Sequence, residues 1–508
     1  MKRVLLILID ALTGPELNRH MMTGHYPNLE RVREAGQFYE TCLSIFPSIT
    51  HAALSSIITG KYPVDHGIVG SHWYDFDHDK VAYFSGSLPM VLQKGIGTFI
   101  REFLIELNHD YLAAPTLFST LERAGYQTAC LNFPVYHGDV AHTADMPFLL
   151  SLFPDMPART TVYGPSELYL GDLVDSLSPQ AGVRPRKTGL LHWYGFHDDN
   201  TVALLEQMAA NDAFPDFTLA YFPENDEVSH KEGPVAAHQR LGYMDALLGK
   251  LFATYGGLEE FLDQFALIIS GDHSQSATLP DVTEQAIDLA ELLPAERLAE
   301  AGHPWDPHDT IMPCPNLRAA QLYFRELEPA GYAHIIAQLL ADERLDQAIY
   351  RASLLDGGPG YVVQTASAKL HFWRDAESSV TDRYGNQWGW QGDLAAVDGS
   401  VEGEIISFGN YPNAFERIAG LLDSPNSAPL WLTAHIGYEI IVPHVKTYPG
   451  GGSHASLHRL DSQPPLLLAG VPAGVTIPAQ PRIVDIAPLC QAILEQRELV
   501  TLPVATCS

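Results

Sequence analysis

Asp10 follows directly on the apolar run Val4–Ile9, VLLILI. An acid at the end of a buried strand must be hydrated, paired or bound to a metal ion, because an isolated buried charge is costly. Taken alone, it is as readily a helix cap or an ion-pair partner. The placement recurs. After the run FTLAYF comes ENDEVSH, with Asp226 and His230 four residues apart. In a helix that spacing puts both side chains on one face, within reach of one ion. After FALIISG come Asp272 and His273. Neighbours on an extended strand point opposite ways. Where the chain turns at the strand end both can converge, the alternative being a surface turn. The glycine run of GGGSHASLH, residues 450–458, lets backbone approach a ligand and presents His454, with His458 competing for the role. Carboxylate oxygens and imidazoles together suit zinc. Thr50, in FPSITHAALSSIITG, directly precedes a helical Ala/Leu/Ser/Ile run. It is either a plain helix cap or a hydroxyl held where free N–H groups and the helix dipole stabilise an alkoxide or a phosphoryl oxygen.

These residues need a scaffold that gathers five distant segments. Short continuous apolar runs at Val4–Ile9, Thr128–Phe133, Phe217–Phe222, Phe265–Ser270 and Pro465–Ala469 predict strands buried on both faces. Between them, Pro27–Gly36 and Pro115–Gly125 open on proline and close on glycine, as helices do. Val235–Tyr255 reads as one long helix and Ile483–Gln496 as another. The alternation predicts an α/β fold, a doubly wound, mostly parallel sheet with helices on both faces. Ligands bind such sheets at the carboxyl ends of strands. Residues 276–424 differ: a helical Tyr332–Arg351, an alternating Tyr361–Trp373 and a Gly/Trp-rich loop, GNQWGWQG. They read as an inserted α+β cap lobe between two parts of a catalytic core, 1–275 and 425–508. Segments near 76–112 and 150–198 read as loops over the sheet.

The balance of 30 basic against 61 acidic residues, net −31, argues against a grip on polymeric nucleic acid or an anionic membrane. It keeps the chain soluble, and an anion-binding site here would take its positive charge from metals. Five cysteines without a CxxC pair indicate neither a disulfide framework nor a thiolate zinc site. The N-terminal apolar run ends at Asp10 with no small-residue cleavage site after it. No apolar stretch reaches the length of a membrane span. A cytoplasmic enzyme acting on a small molecule is expected; the sequence does not fix the oligomeric state.

In this order the residues resemble the alkaline phosphatase superfamily, specifically its branch of type I phosphodiesterases and nucleotide pyrophosphatases. The resemblance rests on LLILIDAL, on Thr50 with the HAALSSIITGKYPVDHGIVG that follows, on PENDEVSHKEGP, on SGDHSQS and on GGSHASLHRLDSQPPLLLAG. It covers roughly 1–275 and 425–500. It implies an alkaline phosphatase-like core and two zinc ions, manganese or iron being alternatives for the same donors. One ion would be held by Asp226, His230 and His454. The other would be held by Asp10, Asp272 and His273, with Thr50 bound to it as well. Thr50 is then the nucleophile, forming a phospho-threonine that water hydrolyses.

The sequence departs from the family after HGIV. Where an asparagine often holds a phosphoryl oxygen, Ser71 stands, or by a one-residue shift His72. His51 is a second candidate substrate contact, and His66 is expected to order the turn after GKYPVD. No arginine lies near Thr50 to grip a dianion, the next after it being Arg101, so a monoanionic diester or nucleotide pyrophosphate is favoured. Alternatives in the superfamily are a phosphomonoester or a phosphonate such as phosphonoacetate, for which Lys80 and Lys94 could hold a carboxylate. A non-enzymatic binding protein of the same fold is the remaining reading. Trp73, Tyr74, Phe76 and Phe84 would either stack on a nucleobase or pack internally.

Overall fold

The computed structural model describes residues 2–84, 90–91, 94–147, 158–178, 182–185, 187, 189, 194–355 and 357–496. Residues 150–157, 179–181, 186, 188 and 190–193 of the segment near 150–198 lie outside them. Among the described residues no helix is long and apolar enough to cross a membrane.

The apolar runs form strands. The strands used here are β1 Arg3–Ile9, β2 Gln37–Tyr39, β3 Thr128–Leu131, β4 Glu167–Leu170, β5 Val174–Ser176, β6 Phe217–Phe222 and β7 Phe265–Ser270. They continue with β8 Ile311–Asn316, β9 Ala319–Phe324, β10 Leu345–Arg351, β11 Tyr361–Gln364, β12 Lys369–Arg374, β13 Trp388–Gly392, β14 Leu430–Ala434 and β15 Leu466–Ala469. A central sheet runs β2-β15-β7-β1-β6-β3-β4-β5. Its five middle strands, β7 to β4, are parallel. β15 and β2 on one side and β5 on the other are antiparallel to their neighbours, so the sheet is mixed.

Both faces of this sheet are packed, and the strand sequences show how. Val4, Leu6 and Leu8 of β1 enter one apolar cluster. The alternate residues Leu5, Ile7 and Ile9 enter a second. β7 divides in the same way, Ala266 and Ile268 against Leu267 and Ile269. The first cluster takes in the helices Thr50–Thr59, Leu117–Arg123 and Ile486–Glu495, and the second takes in Pro27–Ala35, Asp198–Ala210 and Gly242–Tyr255. With no solvent face, alternation of polarity disappears, hence the continuous apolar runs. Truncating one such leucine to alanine costs about 2–5 kcal/mol, enough to matter against a stability of about 5–15 kcal/mol.

A second, antiparallel sheet runs β8-β9-β14-β10-β11-β12-β13. One face, with Ala348, Val362 and Leu432, packs on the helix Pro329–Leu339. The other, with Ile349, Val363 and Trp431, joins the first cluster of the central sheet. Between the sheets lies the helix Ala414–Leu422, every residue of which is buried. Its Arg417 guanidinium donates to the carbonyls of Ile45 (2.9 Å) and Leu457 (2.8 Å) and to Ser462 Oγ (2.6 Å). One inner strand of this sheet, β14, comes from beyond residue 424, so the sheet and the stretch 276–424 do not coincide.

Several expected elements differ. The segments near 76–112 and 150–198, expected as loops, carry the strand Lys80–Tyr83, the helical stretches Ile96–Arg101 and Glu102–Tyr111, the strand Arg159–Gly164 and the central-sheet strands β4 and β5. β4 is fixed by pairing with the distant β3, which no local pattern announces. Val235–Tyr255 is two helices, Pro234–His238 and Gly242–Tyr255. His238 is tied down by Pro234 O (2.7 Å) and by the Thr13 N–H (2.8 Å), and Gly242, a poor helix former, opens the second helix on a new course. Tyr332–Arg351 is helical only to Leu339; Leu345–Arg351 is β10, buried between β11 and β14. Periodicity alone does not separate a short buried strand from a helix. In GNQWGWQG, Trp388–Gly392 is an edge strand whose Trp390 lies opposite Phe372, an aromatic cross-strand pair that favours the sheet.

Candidate active site

The candidate residues converge at the carboxyl ends of β1, β6 and β7. Asp10 follows β1 and is buried; Asp272 and His273 follow β7 and are fully buried. Asp226 and His230 share one face of the helix Glu224–Glu232 after β6, with His230 Nε2 3.4 Å from Asp226 Oδ2. His454 arrives from the Gly450–Gly452 loop, its Nε2 3.8 Å from Asp226 Oδ1 and its ring stacked on His273 at 3.7 Å. His273 Nε2 stands 3.4 Å from both Asp10 Oδ1 and Asp272 Oδ2. Two donor sets result, Asp10–Asp272–His273 and Asp226–His273–His454, each with its ligand atoms within 4.8 Å of one another. His230 adjoins the second through Asp226. His458 turns away, its Nδ1 accepting from the Leu460 N–H at 3.2 Å.

The electrostatics call for positive charge. Burial first, then the charges of Asp272 and Asp226, push the Asp10 carboxyl well above the usual carboxylate range, against a hydrogen bond from Tyr221 that lowers it. Burial also raises Asp272, opposed by His273. Burial and the neighbouring His273 and His230 hold His454 well below its ordinary value. Asp10 Oδ1 and Asp272 Oδ2, both buried, accept no hydrogen bond. His230 and His454 lie with Nδ1 2.8 Å from the carbonyls of Gly452 and Ser48, so Nδ1 donates there and Nε2 is the nitrogen that faces Asp226. Two donors each about 2.1 Å from one tetrahedral ion stand about 3.4 Å apart, the spacing seen at three of these pairs. The residues fit a divalent metal.

Thr50 is the first residue of the helix Thr50–Thr59, whose cap residue, Ile49, makes no side-chain cap hydrogen bond. The threonine is therefore not a cap. Its Oγ1 lies 3.1 Å from His273 Nε2. Beside it, His51 Nδ1 lies 2.8 Å from Ser71 Oγ, and burial pushes the imidazole down to about 4. A neutral His51 and Ser71 share two protons. Whichever way their mutual bond runs, one donor remains, the Ser71 hydroxyl or His51 Nε2–H.

The family comparison adds to this geometry. The profile for type I phosphodiesterase / nucleotide pyrophosphatase matches residues 4–456. The chain belongs to that family. Its members are hydrolytic enzymes acting on phosphodiester or pyrophosphate bonds, typically dependent on divalent metals. No curated protein sequence matches the chain. Among solved structures, murine ectonucleotide pyrophosphatase/phosphodiesterase 5 is similar at 13% identity and TM-score 0.54, over 99% of this chain and 97% of that one. An inactive threonine-to-alanine variant of the murine protein, in complex with AMP, matches equally. Phosphonoacetate hydrolase from Sinorhizobium meliloti, in complex with phosphonoformate, is similar at 15% identity and TM-score 0.55, over 97% of this chain and 96% of that one. At such identities the likeness is one of fold.

Within this phosphodiesterase-family site, several residues escaped the sequence reading. Gln275 Nε2 donates to Asp226 Oδ1 at 2.5 Å while its Oε1 accepts from Ser229 Oγ at 2.8 Å, which fixes the carboxylate. Asn225 Nδ2 holds the Asp10 carbonyl at 2.7 Å, and Tyr448 stacks on His230 at 4.0 Å. Asn225 was visible beside Asp226; Tyr448 had no motif to mark it. His66 orders its turn as expected, accepting from the Ile68 N–H (3.1 Å) and sitting 2.9 Å from Ser56 Oγ. Lys80 and Lys94 are engaged within the chain, by Glu106 (2.6 Å) and Glu102 (2.5 Å). Trp73, Tyr74 and Phe84 are buried packing residues, whereas Phe76 is 56% exposed.

Proposed function

We propose that this enzyme hydrolyses a small phosphodiester or a nucleotide pyrophosphate bond through a phospho-threonine on Thr50. The observation that carries the reading is the Thr50 hydroxyl on an uncapped helix start, 3.1 Å from an imidazole of the acid–imidazole cluster. Two zinc ions are assigned, with manganese or iron as alternatives for the same donors. Asp226, His230 and His454 would hold one, and Asp10, Asp272 and His273 the other, with Thr50 adjoining. Bound there, such ions supply Lewis-acid charge to phosphoryl oxygens and lower the pKa of a hydroxyl.

Thr50 Oγ attacks phosphorus opposite the leaving oxygen, and its proton goes with the departing group. The bond to the leaving group breaks and a phosphoryl ester remains on Thr50. Water attacking from the vacated side releases the product and returns a proton to Oγ. The first-turn amides and the remaining donor of the His51–Ser71 pair are assigned to the non-bridging oxygens. The net charge of −31 favours a small substrate over a nucleic-acid polymer. A phosphonate hydrolase is the second reading, motivated by the phosphonoacetate hydrolase fold. Against it, Lys80 and Lys94 already hold this chain's own glutamates.

Turnover of bis-p-nitrophenyl phosphate, p-nitrophenyl phosphate, a p-nitrophenyl nucleotide and phosphonoacetate, with zinc or manganese restored after chelation, tests the assignment. Diester or nucleotide turnover is expected to lead, and phosphonoacetate in the lead favours the second reading. Thr50→Ala is expected to lower turnover on the order of 10³-fold or more with metal content unchanged. Full activity in that variant overturns the mechanism.

A further inference from the structure

A second buried polar cluster lies against the back of the first. Its centre is Arg318, at the turn between β8 and β9 of the second sheet, with no solvent exposure. Leu317 before it has φ +59°, the left-handed conformation that makes the tight turn and sends Arg318 toward the central sheet. Its guanidinium Nη1 donates to Ser276 Oγ at 2.7 Å, to Ser453 O at 3.1 Å and to Asp461 Oδ1. Nε donates to Tyr438 O at 3.3 Å, and the Arg318 backbone N–H donates to His454 O at 3.1 Å.

The partners decide what this arrangement does. Ser276 lies three residues after His273, and Ser453 immediately precedes His454. The two loops touch as a short antiparallel pair, Ser276–Ala277 against Gly452–Ser453. Asp461 closes the cluster. Its Oδ1 accepts from Ser276 Oγ at 2.9 Å, its Oδ2 from the Ser456 N–H (3.1 Å) and Oγ (2.6 Å), and its carbonyl from the Ser274 N–H at 3.1 Å. One guanidinium and one carboxylate thus bond to chain on both sides of His454 and to chain just after His273. Those two imidazoles stack at 3.7 Å, a spacing that ligands of adjacent ions must hold closely.

We propose that Arg318, with Asp461, is a positioning residue of the active centre: from the second sheet it sets the spacing between the Asp272–His273 loop and the His454 loop. The pair touches neither the candidate donor atoms nor Thr50 and acts through the two loops. This makes the second sheet part of the catalytic apparatus. The inference rests on the divalent-ion reading of the cluster.

The test measures zinc affinity of purified wild type, Arg318→Lys, Arg318→Met and Asp461→Asn by competition with a chromogenic chelator. The visible spectrum of the cobalt-substituted proteins reports ligand geometry. Apoprotein melting and the split between kcat and KM accompany both. Outer residues that orient ligands typically contribute about 10- to 100-fold in metal affinity. Loss in that range is expected for Arg318→Met and Asp461→Asn, with an altered cobalt spectrum, a lower kcat and partial recovery at higher zinc. Arg318→Lys, which keeps three donors on one nitrogen, is expected to fall between. Should Arg318→Met fail to fold, Asp461→Asn and Ser276→Ala carry the same comparison. Folded variants with wild-type zinc affinity and cobalt spectrum sink this inference alone. Wild type that takes up no divalent ion sinks the cluster reading, and this inference with it.

Discussion

Two buried polar clusters lie back to back in this protein, and their hydrogen bonding is opposite. Around Arg318 and Asp461 both carboxylate oxygens accept bonds and the guanidinium has partners on three loops. Around Asp10, Asp226 and Asp272, three carboxylates crowd together, two oxygens accept nothing, and burial raises the Asp10 and Asp272 carboxyls, with repulsion from Asp272 and Asp226 adding at Asp10 and from Asp226 at Asp272. A fully satisfied cluster rigidifies, and an unsatisfied one costs stability. The difference teaches where chemistry and scaffold lie: one cluster presents carboxylates and imidazoles that fit a cation, the other carries its own.

The sharpest way to break this contrast is Thr50→Ala. Turnover is expected to fall on the order of 10³-fold or more, with the urea midpoint of the metal-free protein unmoved. A large shift of that midpoint would make Thr50 scaffold. Next comes Arg318→Met, which strands Asp461 in the interior. Breaking a buried pair costs about 3–5 kcal/mol, read as a fall in urea-unfolding free energy with chelator present. A loss below about 1 kcal/mol, that of a surface ion pair, would mean that the cluster does not clamp the two loops.

Asp10→Asn is expected to act in the reverse sense. Removing a repelled, buried charge relieves about 1–3 kcal/mol of uncompensated burial, so the metal-free variant unfolds at higher urea while binding less metal. Destabilisation of the metal-free form would show that Asp10 is already compensated within the chain.

The smallest effect is a pH slope at an imidazole outside both clusters. Burial holds His66 down at about 3, against about 6.5 in an unfolded chain. The unfolded chain binds more protons between those values, so stability falls as pH drops from about 6.5 toward 3. His66→Gln is expected to flatten that slope by up to about 1.4 kcal/mol per pH unit, measured by urea unfolding between pH 6.5 and 4.5. An unchanged slope would remove His66 as its source.

How much of this was legible in the sequence follows the same division. Asp10, Asp226, His230, Asp272, His273 and His454 stand next to apolar runs or glycines, so local pattern marked them. The strands β1, β3, β6, β7 and β15 were legible because burial on both faces leaves no polar residue to interrupt them, whereas β4 and β5 lay in a segment read as loops. Arg318 and Asp461 are 143 residues apart, and nothing local announces that they meet. The strand β10 was hidden for a related reason. Its short run is helix-like by local preference, and pairing with β14, some eighty residues away, decides it. Thr50 was visible, but only the cap at Ile49 shows that its hydroxyl is not spent on the helix start.

The central claim is the covalent step at Thr50, and it can be observed directly. Enzyme turning over a p-nitrophenyl phosphodiester is quenched in acid within the first turnovers, digested and mapped by mass spectrometry. A phosphoryl ester on Thr50, absent without substrate and absent from Thr50→Ala, is the predicted result. An adduct on another side chain, or a burst of product with Thr50 unmodified, would contradict the account.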